Sequence, residues 1–338
     1  MVPWNWPILL LLRDLAPGLA AGVTAIVKPA PQTSPVTEHV VRLGREAGLD
    51  GGILQLAIGG PELGRALVEH PGIRAVAFTG STETGAQIMA AGSTTLKRML
   101  LELGGKGSSV IMEDADVPSA VEASVRAAMT TTGQMCMACS RIIAHRSRFA
   151  AVLETVIEML RGMTVGPPGA DGSDLGPLIS SGHRDRVLGY VDLARRTCQV
   201  AWGGEPAHVD GYPGWFMTPA VVTGADPSSP LIQDEIFGPV VSVERFDTLE
   251  EAVALANASR YGLTAAVWTD DAEQGWDAAR SIEAGTVWVN GYGPSFPEVP
   301  SGGFKGSGSG RTRGIEGIEQ FTEIKSINWK LPRRRPPA

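Results

Sequence analysis

Over the first third of the chain, short β-rich apolar runs alternate with amphipathic stretches about three turns long. The pattern predicts helices over Ile8–Ala21, Pro35–Ala47, Pro61–Glu69 and Thr82–Ala91. It predicts strands over Thr24–Lys28, Ile53–Ile58, Ala75–Phe78 and Leu96–Leu103. Such alternation implies βαβ units and a parallel sheet, because parallel neighbours need a crossover long enough to hold a helix. Glycines gather where strand gives way to helix, at Gly59-Gly60 and at Gly80 before Ser81-Thr82. In open α/β sheets that edge holds ligands, with phosphate at a helix N-terminus.

From Ser108 the alternation continues with strand Val110–Met112, helix Val117–Thr130, strand Arg141–Ala144 and helix Phe149–Arg161. A Pro/Gly loop spans Val165–Gly172, and helices follow near Asp185–Arg195, Glu250–Ala258 and Ala272–Ile282. Further strands are expected at Val240–Arg245, Ala265–Trp268 and Thr286–Asn290. No internal repeat is visible. A second α/β unit therefore begins near Gly107, and 338 residues suffice for two packed domains.

Composition narrows the classes. Apolar residues make up 43% and charged residues 19%, as in ordinary globular proteins. A formal net charge of -7 argues against nucleic-acid binding, which needs a basic face. The only basic run, Arg333-Arg334-Arg335, reads as a solvated end. Three cysteines make no disulfide framework, so a reducing compartment is expected. The apolar start lacks a basic leader region, and Ile8–Leu12 is cut by Arg13-Asp14, too short to span a membrane. A cytoplasmic protein without membrane attachment is the expectation.

Candidate chemistry centres on Cys136, in Gly133-Gln134-Met135-Cys136-Met137-Ala138-Cys139. Alone, such a cysteine reads as a small buried hydrophobe as readily as a nucleophile, which needs access and a lowered pKa. The Cys136-x-x-Cys139 spacing also suggests redox or metal work, but the five histidines show no metal spacing, so no metal is expected. Asn5 reads either as an N-cap for the Ile8 helix or as an amide aimed at an oxyanion. Glu102 reads either as a partner for Lys106 or as a general base. Lys106 completes no P-loop, because Gly107 stands where Ser or Thr is required.

Together these segments resemble the aldehyde dehydrogenase superfamily, in order along the chain. Pro3-Trp4-Asn5 is similar to its oxyanion-hole motif, Val27-Lys28-Pro29-Ala30 to its adenosine-ribose motif, and Phe78-Thr79-Gly80-Ser81-Thr82 to its pyrophosphate turn. Glu102-Leu103-Gly104-Gly105-Lys106 resembles the general-base motif and Gly133-Gln134-x-Cys136 the nucleophile motif. Glu235-Ile236-Phe237-Gly238-Pro239 resembles the segment that holds the nicotinamide ribose, and Pro300 to Arg311 the late glycine-rich signature.

The resemblance implies a doubly wound parallel-sheet cofactor domain, incomplete at its N-terminus, over residues 1–106, and an α/β catalytic domain over 107–312. A C-terminal segment, 313–338, would contain a candidate oligomerisation strand, Glu323–Trp329, and a homo-oligomer (dimer or tetramer) is expected. Cys136 would attack an aldehyde carbon, Asn5 and the Cys136 N–H would hold the oxyanion, and Glu102 would activate water. Trp4, Lys28, Pro31, Gly60, Gly64, Gly80, Ser81, Glu235 and Phe237 would line the cofactor. Trp6, Leu9, Arg13, Met135, Met137 and Ser301 would approach a small aldehyde substrate, with Arg13 a candidate anchor for a distant substrate carboxylate. Glu102 favours hydrolysis over acyl transfer to coenzyme A, which remains the alternative chemistry.

The departures also carry information. Pro31 stands where NAD-using members carry a Glu that grips the ribose 2′-hydroxyl, which leaves NAD and NADP both open. Asp234 replaces a more usual Glu, and Cys139 a common glycine, read here as structural. Pro3 follows Met1 almost at once, whereas family chains carry roughly a third of their length ahead of it. An uncovered sheet edge and Ile8–Leu12 face are expected in consequence, and a catalytically silent binding or oligomer partner is the competing class.

Overall fold

The computed structural model describes residues 1–330. The N-terminal third folds as its alternation predicts, into α1 (Pro7–Ala20), β1 (Ala25–Val27), α2 (Ser34–Glu46), β2 (Leu54–Leu56), α3 (Pro61–Glu69), β3 (Ala75–Thr79), α4 (Thr82–Gly92) and β4 (Arg98–Glu102). Proline opens α1, α2 and α3 in the first turn, where its missing N–H has no helical partner to lose. These strands do not form one sheet. β1 pairs with β2 and β3 with β4, each pair parallel, in separate sheets. Met1–Val2 lies between them: Val2 bridges Pro29, and the Met1 ammonium donates to the Ala77 carbonyl at 2.7 Å. α1 buries Leu10 and Leu11 but leaves Ile8, Leu9 and Leu12 45%, 47% and 45% exposed, the uncovered face that was expected.

The second unit comprises β5 (Gly107–Ile111), α5 (Val117–Met129), β6 (Cys139–His145), α6 (Phe149–Arg161), α7 (Ser181–Thr197), β7 (Gln199–Gly203), β8 (Ala220–Thr223), β9 (Val240–Phe246), α8 (Leu249–Asn257), β10 (Thr264–Trp268), α9 (Ala272–Ser281) and β11 (Thr286–Val289). Its seven strands run in the order β11-β10-β5-β6-β9-β8-β7, parallel throughout except for β7 at one edge. Val121, Val125, Val152, Val156 and Leu160 of α5 and α6 pack on one face. Ala252, Ala256, Ala278 and Ile282 pack with Phe246 on the other. A sheet covered on both faces explains why its central strands read as unbroken apolar runs. At its centre the Arg141 guanidinium, fully buried, makes a bidentate pair with Glu244 on the adjacent strand at 2.8 and 2.7 Å.

Three features depart from the sequence reading. β7 and β8, both short, carry no strong period of their own and were not predicted. The glycine-rich run supplies β12 (Gly308–Ser309), which pairs antiparallel with β4, Gly308 opposite Glu102. Glu323–Trp329 forms no strand, because the described chain offers it no ladder partner. Its Ile324, Ile327 and Trp329 are exposed. The basic run Arg333-Arg334-Arg335 lies outside the described residues. Among the described residues, no helix is long and apolar enough to cross a membrane.

Candidate active site

Cys136 sits on the loop from α5 to β6, and that loop is strained. Thr131, Thr132 and Gly133 adopt left-handed φ values of 52°, 56° and 70°. For a β-branched threonine this conformation costs on the order of 1–3 kcal/mol, so the surroundings must enforce it. Gln134 does so at both ends of its amide: Nε2 donates to Thr131 O at 3.1 Å, and Oε1 accepts from Ile179 N–H at 2.9 Å. Thr132 Oγ1 donates to Gly176 O at 3.1 Å. From the opposite side the link between β4 and β5 presses on the loop. A Cβ at Gly105 would collide with the Cys136 carbonyl, so glycine is required there.

The thiol keeps some surface, but burial pushes its pKa up to about 12, reinforced by the negative charges of Glu235 and Glu102 and opposed by Arg13. Cys136 therefore rests as the neutral thiol. Cys139, by contrast, is wholly buried in the β5/β6 core, as its structural reading anticipated.

Asn5 is not an N-cap. α1 starts at Pro7, the cap position is Trp6, and no side chain caps the helix. Asn5 instead reaches across the fold and donates from Nδ2 to Gln134 O at 3.0 Å, bringing its amide to the nucleophile loop. The pairing of Glu102 with Lys106 is likewise absent. Lys106 donates to Asp234 O at 2.8 Å, while Glu102 leaves Oε1 without a partner and places Oε2 3.8 Å from the Arg13 guanidinium. Burial raises Glu102 to about 7, with Arg13 pulling the other way. A carboxylate poised near neutrality in a dry site suits proton transfer.

Arg13 is placed differently from its role as a substrate anchor. Its buried guanidinium forms a bidentate pair with Asp14 at 2.7 and 3.1 Å and donates to Thr79 Oγ1 at 2.7 Å. It faces Glu102 and is already engaged. The sequence set Asp14 beside Arg13 and Thr79 in the turn after Phe78, but not that the two hold one guanidinium between them. Met135 and Met137 flank Cys136 on the loop and are half-buried. Trp6 buries an indole N–H that has no partner. Leu9 lies on the exposed face of α1, and Ser301 is held in a bridge with Thr312. No hydrogen bond among the described residues ties either to the trio.

The cofactor candidates line the C-terminal ends of the parallel strands. Lys28 follows β1 and is half-buried, and Pro31 opens a short 3₁₀ turn beyond it. Gly60 precedes α3, whose N-terminus carries no side-chain cap. At Gly64 an added Cβ would meet the Lys28 stem. Gly80 lies under the Phe78 ring, which a Cβ there would strike, and Ser81 caps α4 by accepting from Thr84 N–H at 3.2 Å. Glycine corners and open helix N-termini at the carboxyl edge of parallel strands fit a dinucleotide's phosphates.

At the far end, Trp4, Phe237 and His183 form an edge-to-face cluster with centroids 5.5 to 6.1 Å apart. His183, which also hydrogen-bonds Phe237 O at 2.7 Å, was not anticipated. Phe237 takes a left-handed φ of 59°. Glu235 accepts from Gly105 N–H at 2.9 Å, and burial raises it to about 7, so a second near-neutral carboxylate faces the thiol.

A thiol on a strained loop, at the seam between a dinucleotide-type crevice and a second α/β unit, is the layout of thiol-dependent dinucleotide oxidoreductases. The chain belongs to the aldehyde dehydrogenase family, matching it over residues 1–327. It is 36% identical over 332 residues to hydroxyisobutyraldehyde dehydrogenase of Mycolicibacterium austroafricanum, covering 98% of this chain and 66% of that protein. It is 37% identical over 328 residues to the chloroplastic betaine aldehyde dehydrogenase of Atriplex hortensis, covering 96% and 65%. Among solved structures, an NAD-dependent aldehyde dehydrogenase from Sinorhizobium meliloti aligns with a TM-score of 0.95 at 34% identity, over 99% of this chain and 67% of that one. Betaine aldehyde dehydrogenase from Staphylococcus aureus in complex with NAD+ aligns with a TM-score of 0.91 at 35% identity, over 98% and 68%. The chain thus spans about two thirds of the length of the relatives it matches.

Proposed function

We propose that the chain serves the oxidation of an aldehyde to a carboxylic acid with NAD+ or NADP+, through a thioester on Cys136. The observation that carries the reading is convergence: Asn5 donates to Gln134 O on the strained Cys136 loop, and Glu102, at the end of β4, bears on the thiol by its charge. The thiol loses its proton to a neighbouring carboxylate, and the sulfur bonds to the aldehyde carbon. The resulting oxyanion takes hydrogen bonds from Asn5 Nδ2–H and the Cys136 backbone N–H. When bound, the oxidised nicotinamide supplies the hydride acceptor that turns this adduct into a thioester. Ionised Glu102 then takes a proton from water, hydroxide adds to the acyl carbon, and the thiolate leaves as the acid forms.

The buried carboxylate supports hydrolysis rather than transfer to coenzyme A. Small aldehydes of the kind named for its relatives are the substrate class, and Pro31 leaves the coenzyme choice to experiment. The cysteine usage supports a cytoplasmic setting. The exposed Ile324, Ile327 and Trp329 support a homo-oligomer, dimer or tetramer. The unjoined N-terminal sheets favour a second reading, a catalytically silent relative that binds cofactor or partner.

The test is NADH or NADPH formation from betaine aldehyde, hexanal and succinic semialdehyde by folded protein. Turnover that falls by more than about a thousandfold in Cys136→Ser, with free acid as product, is expected. No turnover from well-folded chain would establish the silent reading, and acyl-coenzyme A as the product would overturn the hydrolytic one.

A further inference from the structure

Cys136 and Met137 stand at the corners of a turn, which Ala138 N–H closes by donating to Met135 O at 3.0 Å. Gln134 and Thr132 tie down the approach to this turn, and Gly105 presses on the Cys136 carbonyl. The next carbonyl, Met137 O, is held from far along the chain: the Tyr292 hydroxyl donates to it at 3.1 Å. Thr264 Oγ1, at the start of β10, lies 3.1 Å from the same hydroxyl. A carbonyl can only accept, so the phenol proton is committed to Met137, and the Thr264 hydroxyl must donate to the phenol oxygen. The two hydroxyls thus form a relay of fixed direction that ends on the turn carrying the thiol.

Several elements place the phenol there. β11 ends at Val289, and Asn290 redirects the chain with a left-handed φ of 54°, a region that asparagine tolerates better than most residues. Its side chain is locked to the Thr269 backbone: Oδ1 accepts from Thr269 N–H at 3.0 Å, and Nδ2 donates to Thr269 O at 2.9 Å. The Tyr292 ring then packs on Trp288, with centroids 4.9 Å apart, and Trp288 Nε1 donates to Pro294 O at 2.9 Å. Gly107 clears the path. A Cβ there would strike the Tyr292 hydroxyl, Ala138 O and Thr264 Oγ1, which accounts for the glycine after Lys106. Burial, then the neighbouring Cys139, holds the phenol well above the usual tyrosine range, so it stays a neutral donor.

We propose that Tyr292 is a positioning residue for the nucleophile: through the Met137 carbonyl it fixes the turn that aims the Cys136 thiol and the Cys136 N–H. The inference rests on the reading of Cys136 as the attacking thiol. Two peptide groups beside the thiol are set from outside the loop, the Cys136 carbonyl by Gly105 and the Met137 carbonyl by Tyr292. Only the second hangs on a single hydroxyl. Without that hydroxyl Met137 O loses its partner, and turning the peptide toward water relieves the cost. The turn then opens, the thiol leaves its dry setting, and its aim is lost. Alkylation by a small reagent and turnover of substrate therefore move in opposite directions, since the first needs an exposed thiolate and the second a fixed one.

Tyr292→Phe keeps the ring on Trp288 and removes only the hydroxyl. Alkylation of the protein by iodoacetamide, followed against pH with the Cys136→Ser rate subtracted, reads the thiol without any turnover. At about pH 8 the variant should react at least about threefold faster, its thiol having fallen by about one pH unit or more toward the usual cysteine value. With hexanal and NAD+, kcat should fall about tenfold or more while KM changes less than about twofold. Thr264→Val removes the other hydroxyl of the relay and should move both rates the same way by less, whereas Thr264→Ser should match the parent protein. Val41→Ala, a truncation in the separate core beneath α2, should lower the thermal midpoint at least as much and leave the alkylation rate unchanged. The proposal is overturned by an alkylation rate in Tyr292→Phe within about twofold of the parent, or by an equal rise in Val41→Ala. An undiminished kcat in an active protein also overturns it. Should Tyr292→Phe fail to fold, an unchanged alkylation rate in Thr264→Val does the same. A parent protein without turnover defeats the dehydrogenase reading alone, and alkylation then decides the role of Tyr292.

Discussion

The two parallel-strand regions of this molecule are made of similar residues and end differently. In the large sheet every central strand has a neighbour on each side, and Val243, Ile142 and Ile143 are wholly buried. In the N-terminal region, β1 and β3 carry equally apolar residues, yet a cleft lies between them, and among the described residues only Met1–Val2 bridges the two strands. Apolar content therefore does not unite a sheet. A ladder needs a continuous strand in every position, because each rung requires backbone donors as well as side-chain packing. The candidate residues straddle this difference: Cys136 hangs from the complete sheet, while Arg13 lies on the helix beside the cleft and Asn5 just ahead of it.

The contrast is open to attack at several points, taken from the largest expected effect down. Arg141→Met leaves Glu244 charged and buried at the centre of the complete sheet, and should destabilise the fold by about 3–5 kcal/mol in urea titration. A loss under 1 kcal/mol would mean that this sheet does not hold the molecule together. Matched truncations compare the regions directly. Val243→Ala should cost about 2–4 kcal/mol and Val76→Ala, which borders the cleft and can relax into it, about half as much. Equal costs would show that the cleft is closed in solution.

The junction comes next. Gly105→Ala places a Cβ on the Cys136 carbonyl and should lower aldehyde turnover about a hundredfold with little change in thermal midpoint. Retained turnover would mean that the loop tolerates displacement.

A smaller effect is electrostatic. In its proposed role Glu102 would act as base only when ionised, so turnover should fall as pH drops through about 7. Because burial raises this group above its usual value, it also makes the fold less stable as pH rises from near 4.5 to near 7, the unfolded chain ionising first. Arg13 favours the ionised form. Arg13→Met should shift the acid limb upward by about one pH unit, with partial rescue by Arg13→Lys. An unmoved limb would remove Arg13 from that role. At the small end, Arg74→Ala breaks an exposed pair with Glu323 at the cleft rim and should change stability by less than about 0.5 kcal/mol.

Much of the fold was legible because long periodic segments declare themselves. Pro61–Glu69 and Phe149–Arg161 form helices at the residues predicted. Cys136, Asn5 and Glu102 could be named as candidates because each lies in a distinctive local run. What was not legible depended on partners distant in sequence. β7 and β8 are strands only because β9 and each other complete their ladders. Asn5 reads equally as a cap until Gln134, far along the chain, takes its amide. Arg13 reads as a free cation until Asp14, Thr79 and Glu102 surround it.

The sequence by itself determined the α/β alternation, the family and the candidate thiol, amide and carboxylate, because local periodicity and short motifs are written in neighbouring residues. Only the tertiary structure decided how those groups are charged and held. Burial, which no single segment encodes, leaves Cys136 a neutral thiol and lifts Glu102 and Glu235 toward neutrality. It also decided which N-terminal strands pair, β1 with β2 and β3 with β4, since a ladder depends on which backbone groups meet.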